Sequence, residues 1–265
     1  MNDNPILQST NTSNPYRNSL KNILDRLKWD LNFESWRSRS NLKKLHNAHL
    51  GEKAVILCNG PSLLKTDFSL LKDTYTFGLN KINLLFDKND FRPDLIVAVN
   101  AFVIEQNEKF YNETQIPLFL DSLGSKQVKS RKNVSFVHSA NQIKFVRDVS
   151  LSLWQGATVT NVALQLAYHM GFKDVALVGC DHNFAHKGPA NQTVISGEKD
   201  ESHFDPNYFA GGVKWQLPDL VASEYGYTLA RETFLASGRN IYNCTEGGNL
   251  EVFERAELGY FINSI

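Results

Sequence analysis

Several features that would fix a function class are missing from this chain. It has no surplus charge of either sign. Lys plus Arg number 28, Asp plus Glu number 28, and the formal net charge is zero. Nonspecific nucleic-acid binding draws on excess Lys and Arg, so the balance argues against a nucleic-acid partner, though not against a local basic patch. Cysteine is scarce. Cys58, Cys180 and Cys244 are odd in number and widely spaced. That excludes a disulfide framework and a zinc knuckle and points to a reducing, cytoplasmic setting. No run approaches the roughly 18 apolar residues of a membrane span. The opening "MNDNPILQSTNTSNPYRNSL" lacks the basic start and apolar core of a signal peptide. There is no Walker loop, G-x-G-x-x-G, G-x-S-x-G, H-E-x-x-H or C-x-x-C. Kinase, simple dehydrogenase, α/β-hydrolase and zinc-protease readings lose their support.

Hydrophobic residues make up 42% of the 265, enough for a sizeable core. Residues 1–16 are polar and read as loose; residues 17–49 read as helix, with Leu20, Ile23, Leu24, Leu27, Trp29 and Leu31 at helical spacing among many Lys and Arg. Such a helix is either a solvated face or a docking element, since basic residues interleaved with Trp and Leu suit an anionic membrane surface. The expected division is a basic helical extension over 1–49 and a single domain over 50–265.

From residue 53 the chain alternates. Strands are expected at Lys53–Cys58, Thr74–Leu79, Asp94–Val99, Pro117–Leu120, Val134–His138, Asp174–Gly179 and Asn240–Asn243. Helices are expected over Thr158–Met170, closed by Gly171, and over Leu220–Ala236, before Gly238. This alternation predicts an α/β fold with a mainly parallel, Rossmann-like sheet and helices on both faces. Residues 185–215 show little apolar periodicity and read as a long lid-like loop.

Ligands of such sheets bind at the carboxyl ends of the strands. The first strand ends in Asn59-Gly60-Pro61-Ser62. The next two end in Asn80 and Asn100, and "DVALVG" is followed by Cys180, Asp181, His182 and Asn183. A lone Asn after a strand is commonly a turn residue. Several at one sheet edge suggest a polar pocket whose amides suit a nucleobase edge or ribose hydroxyls. "QGATVTN", Gln155 to Asn161, opens a helix with small residues and offers a seat for phosphate. His203, beside Asp205 and Tyr208, is a candidate general base. Asp181, His182, His186 and His203 match no compact metal-ligand spacing, so no metal is expected.

The set "CNGPSL", Asn80, Asn100 and "GATVTNVALQLAYHMGFKDVALVGCDHNF" resembles the MptE-like family, typified by an archaeal 6-hydroxymethylpterin diphosphokinase and including proteins of bacterial surface-polysaccharide loci. The same features are similar to bacterial CMP-sialic acid-dependent sialyltransferases, which work without a metal. The resemblance implies that Asn59 and Gly60, with Pro61 and Ser62 in the same turn, approach the nucleotide. It places Asn80 and Asn100 in the donor pocket. Gly156, Ala157, Thr158, Val159 and Thr160 would face nucleotide and sugar, with Asp181 and Asn183 near the ribose and His182 as a phosphate donor group. Ser202-His203-Phe204 matches a Ser-His-aromatic triplet, but Asn207 or Tyr208 stands where the sialyltransferase base falls, so either the base role passes to His203 or the acceptor chemistry differs. The implied activity is a metal-independent glycosyltransferase moving a nonulosonic acid or Kdo from a CMP-activated donor to a surface-glycan acceptor, with no cofactor. The alternatives are an ATP- and Mg-dependent pterin diphosphokinase, with Asp121 or Asp205 helping Asp181, and a noncatalytic nucleotide-binding subunit. A glycan acceptor at the inner face of the membrane would suit the basic N-terminal helix.

Overall fold

A computed structural model describes residues 14–184 and 188–264. Most of the segment expected to be loose, and His186, lie outside them. Among the described residues, the strands are β1 (Lys53–Leu57), β2 (Tyr75–Leu79), β3 (Leu95–Ala98), β4 (Leu118–Asp121), β5 (Val134–Val137), β6 (Asp174–Val178), β7 (Thr193–Ile195), β8 (Lys214–Gln216), β9 (Asn240–Asn243) and β10 (Glu254–Arg255). The helices are α1 (Pro15–Asp30), α2 (Phe33–Leu45), α3 (Ala101–Gln106), α4 (Glu108–Glu113), α5 (Val159–Met170), α6 (Leu220–Leu235) and α7 (Leu258–Ser264). Eight strands form one parallel sheet in the order β10-β9-β6-β1-β2-β3-β4-β5. All seven expected strands are present, each within a residue of its expected ends.

The sheet is covered on both faces, and β1 shows why its sequence is a continuous apolar run. Ala54 and Ile56 enter the core formed with α5 and α6, while Val55 and Leu57 enter the opposite core with α3, α4 and α7. α5 starts and stops as its sequence predicts. Thr158 Oγ1 accepts from Thr160 N–H, and Gly171 closes the helix at φ +98°. Its polar residues are buried too. Gln165 accepts the N–H groups of Val146 and Trp154 and donates to Trp154 O, which pins the 146–154 segment over the helix.

The N-terminal helical segment is two helices rather than one. Asn32 breaks the run because its side chain accepts from Glu34 N–H and so caps a new helix. α2 packs on β5: Ser38 Oγ accepts Phe136 N–H, and the Arg37 guanidinium reaches Arg131 O and Val134 O.

The segment after Asn183 is also more structured than expected. β7 and β8 pair as an antiparallel ribbon, and Phe204, Tyr208, Phe209 and Trp215 are buried in the second core. Each ribbon strand turns only one residue inward, Val194 or Trp215. So short a pattern has no periodicity to read. We call residues 188–218 the strap.

Candidate active site

Strand order reverses beside β1: β2 lies on one side and β6 on the other. A crevice opens at the carboxyl ends of the strands flanking such a point. Gly60 N–H donates to Gly179 O at 2.9 Å, carrying the β1–β6 pairing into the two turns. Asp181 Oδ2 accepts Ser62 N–H at 3.1 Å and Ser62 Oγ–H at 2.7 Å. A Cβ on Gly60 would lie 2.0 Å from Asp181 Oδ2 and 2.7 Å from Gly179 O. Glycine at this turn is therefore required by close approach, at an ordinary φ of −71°.

Above the turn lies a cavity of about 270 Å³, near the lower end of small-molecule pockets. The strand ends supply Asn59, Gly60, Asn80 and Asn100. The start of α5 supplies Ala157, Thr158, Val159 and Thr160. Asp181, His182 and Asn183 follow β6, and His203 comes from the strap. Pro61, Ser62 and Gly156 do not line it. Pro61 opens a short 3-10 turn instead of an α-helix, Ser62 is buried against Asp181, and Gly156 makes room for Asn161, whose Nδ2 a Cβ there would meet at 2.4 Å.

The three strand-end asparagines do different work. Asn59 Nδ2 donates to Leu79 O at 3.1 Å, tying the β1 turn to β2, while its Oδ1 is buried without a partner. Asn80 adopts φ +47° and also buries an unpartnered Oδ1. Asn100 caps α3, accepting Phe102 N–H at 2.9 Å, and donates to Gln216 Oε1 on the strap at 3.2 Å. It is a turn-and-tether residue whose side chain is already engaged.

Two histidines face the cavity, each with a carboxylate. His203 Nδ1 meets Asp200 Oδ2 at 2.7 Å, and its ring stacks on Tyr208 with centroids 4.0 Å apart and planes within 2°. Burial pushes the Asp200 pKa up, but the bond and charge of His203 and the N–H groups of Ser202 and Phe209 outweigh it and leave it lowered. In the His203 tautomer that donates Nδ1–H to Asp200, Nε2 is left as the acceptor. His182 Nε2 meets Glu224 Oε1 at 3.0 Å.

The floor is neutral. Cys58 and Cys180 lie side by side, and the Cys58 thiol is pushed well up by its hydrogen bond with Cys180 and by burial. It remains a thiol and makes no nucleophile. None of the described lining residues is Lys or Arg, and the start of α5 brings the positive end of a helix dipole to the wall. Asp121 and Asp205 lie elsewhere. Asp121 bonds Ser139 Oγ, and Asp205 pairs with Lys88 Nζ at 2.6 Å. Among the described residues no three His, Cys, Asp or Glu side chains are grouped to hold a metal.

Backbone strain concentrates here. Of the described non-glycine residues at positive φ, Asn80, Ala157, His182 and Asn191 line the cavity; the remaining one, Asn47, does not. Ala157 at +59° lacks the local hydrogen bonding that eases Asn into this region, at a cost of about 1–2 kcal/mol.

The profile of the 6-hydroxymethylpterin diphosphokinase MptE-like family matches residues 29–187, more than half of the chain. The chain belongs to this family. No curated protein matches it. Among solved structures, the MAf glycosyltransferase from Magnetospirillum magneticum AMB-1 is similar at 17% identity and a TM-score of 0.50. The alignment covers 86% of this MptE-like chain and 39% of the other, so the chain spans about two fifths of that protein's length. At that identity the likeness is one of fold.

Sequence reading missed Asp200 and Glu224, which orient the histidines, and Lys81. Lys81 Nζ donates to Tyr208 O at 2.6 Å and Gln106 Oε1 at 2.7 Å and stands 4.8 Å from the centre of the Phe209 ring. It holds the strap from below. Asp200 falls three residues before His203, a spacing that was available in the sequence; Glu224 comes from α6, 42 residues after its partner, and left no local signal.

Proposed function

We propose that this MptE-like protein is a glycosyltransferase that takes an acidic sugar, of nonulosonic acid or Kdo type, from a CMP-activated donor and passes it to a glycan hydroxyl without a metal. The observation that carries this reading is the pairing of a neutral cavity, holding one carboxylate already engaged in the turn, with two carboxylate-oriented histidines. From a CMP-sugar the departing group is CMP, a single phosphate monoester. Helix-end N–H groups and a neutral or protonated imidazole suit that charge. Mg-ATP chemistry calls for carboxylates around the metal and cations along the phosphates, and Asp121 and Asp205 are committed elsewhere.

In the reaction, the bond from the anomeric carbon to the phosphate oxygen breaks, and its electron pair leaves with CMP. The acceptor oxygen bonds the same carbon and gives its proton to His203 Nε2. His182, held by Glu224, meets the departing phosphate. Asn59 and Asn80 line the wall against which base or ribose would lie. The glycosyltransferase named above shares the fold and is consistent with this use of it.

Calorimetry with CMP, CTP, ATP and a pterin, with EDTA or with Mg²⁺, tests the reading. CMP binding in EDTA, together with transfer from a CMP-sugar, is the expected result. Mg-dependent binding of ATP with the pterin would overturn it in favour of the diphosphokinase. Silence toward all four would leave a noncatalytic subunit.

A further inference from the structure

The outer face of the N-terminal helices is apolar, exposed and basic at its edge. α1 meets the body through Trp29, which stacks on His138 at 6.2 Å, through Arg26, whose Nη1 donates to Leu151 O at 2.6 Å, and through Asn22, whose Oδ1 accepts from Asn141. A helix advances about 100° per residue. Leu20, Ile23, Leu24, Leu27 and Leu31 therefore gather on the side opposite those three contacts. All five are exposed, Leu31 to 79%. At the elbow Phe33 is 76% exposed, and the Trp36 ring is pinned outward by its Nε1–H bond to Asp30 O at 2.7 Å. A continuous apolar stripe of this size has no reason to face water on an isolated chain.

Its charge identifies the occupant. On the same helical projection, Arg17, Lys21 and Lys28 border the stripe along one edge, and all three are exposed. On α2, Arg39, Lys43 and Lys44 surround a shallow depression beside Trp36. Residues 14–50 carry eight Lys and Arg against three Asp and Glu, in a chain of zero net charge. A second copy of this face would bring like charges together, whereas an anionic lipid surface complements it. We propose that α1 and the start of α2 form an interfacial anchor that lays the leucine stripe into the headgroup region of an anionic bilayer. Trp36 would stand at the boundary and the Lys and Arg residues would contact the headgroups. The proposal is independent of the chemistry in the cavity.

Co-sedimentation of the full chain with vesicles tests it, using phosphatidylcholine alone and phosphatidylcholine mixed with phosphatidylglycerol. Binding to the mixed vesicles, falling with salt, is expected. Leu24→Glu with Leu27→Glu should lower the partition at least tenfold. Lys21→Glu with Lys28→Glu should lower it and flatten the salt dependence. Both changes are on exposed positions, so the melting temperature should be unaltered. Binding no better than to phosphatidylcholine alone, or binding indifferent to both variants, would overturn the proposal. A dimer in light scattering that Leu24→Glu with Leu27→Glu dissolves, without vesicle binding, would reassign the face to a second copy.

Discussion

Replacing Gly60 by alanine adds one methyl group at the point where the β1 and β6 turns touch. The backbone there is ordinary, φ −71° and ψ 163°, so alanine meets no conformational barrier. The obstacle is contact. The new Cβ lies 2.0 Å from Asp181 Oδ2, 2.8 Å from Asp181 Cγ and 2.7 Å from Gly179 O. Rotating the carboxylate away forfeits both bonds from Ser62, at about 1.5–3 kcal/mol for each bond to a charged group. It also leaves a 95% buried serine unpaired. The carbonyl cannot rotate, since Gly60 N–H holds it at 2.9 Å, so the strand ends must part at a further cost of about 1–3 kcal/mol. The reduced freedom of the unfolded chain returns roughly 0.4–1 kcal/mol. The net loss should be about 3–8 kcal/mol, or on the order of 10–20 °C in melting temperature. Urea titration of Gly60→Ala, Asp181→Ala and the double variant measures it. Asp181→Ala removes the nearest clash, so the double variant should be more stable than the sum of the two single losses by about 1–3 kcal/mol. A Gly60→Ala protein within about 0.5 kcal/mol of the parent, or strict additivity, would refute the reasoning.

Four further outcomes follow from the site. His203→Ala should cut transfer by about 10²–10⁴-fold while CMP binding persists, and Asp200→Asn should lower turnover with little change in CMP affinity; steady-state kinetics and calorimetry check both. Gly156→Ala places a side chain at φ +58° and 2.4 Å from Asn161 Nδ2, so its urea midpoint should fall by the equivalent of about 2 kcal/mol or more. Burial lowers the Lys81 pKa from 10.5 to about 8, against the opposing charge of Asp200. Between those values the unfolded chain holds more protons, so stability should rise with pH from about 8 to 10.5 relative to Lys81→Met. Parallel slopes in the two proteins would contradict this.

The strands were legible because buried parallel strands are short apolar runs closed by turn residues, and β1, β2, β3 and β6 all have that form. α5 was legible from both ends, with Thr158 and Gly171 as its punctuation. The cavity followed from asking what lies after each strand. The roles within it were harder to read. Asn59, Asn80 and Asn100 look alike in sequence, yet one ties β1 to β2, one holds a strained turn and one caps α3. The strap was opaque because a few aromatic residues packing over Lys81 secure it rather than a repeating pattern. The break at Asn32 was hidden because helix-forming sequence resumes directly after it, at Phe33.

Under the proposed transfer, the locked posture of His203, clamped between Asp200 and the Tyr208 ring, would have a cost in fidelity. A base held in position before any acceptor arrives cannot distinguish a sugar hydroxyl from a water molecule by moving toward only one of them. Discrimination must then come from how completely the acceptor fills the space beside it. On that reading a donor bound alone would be exposed to slow hydrolysis, and the rate of that wasted turnover would measure how far the site relies on its acceptor to keep water out.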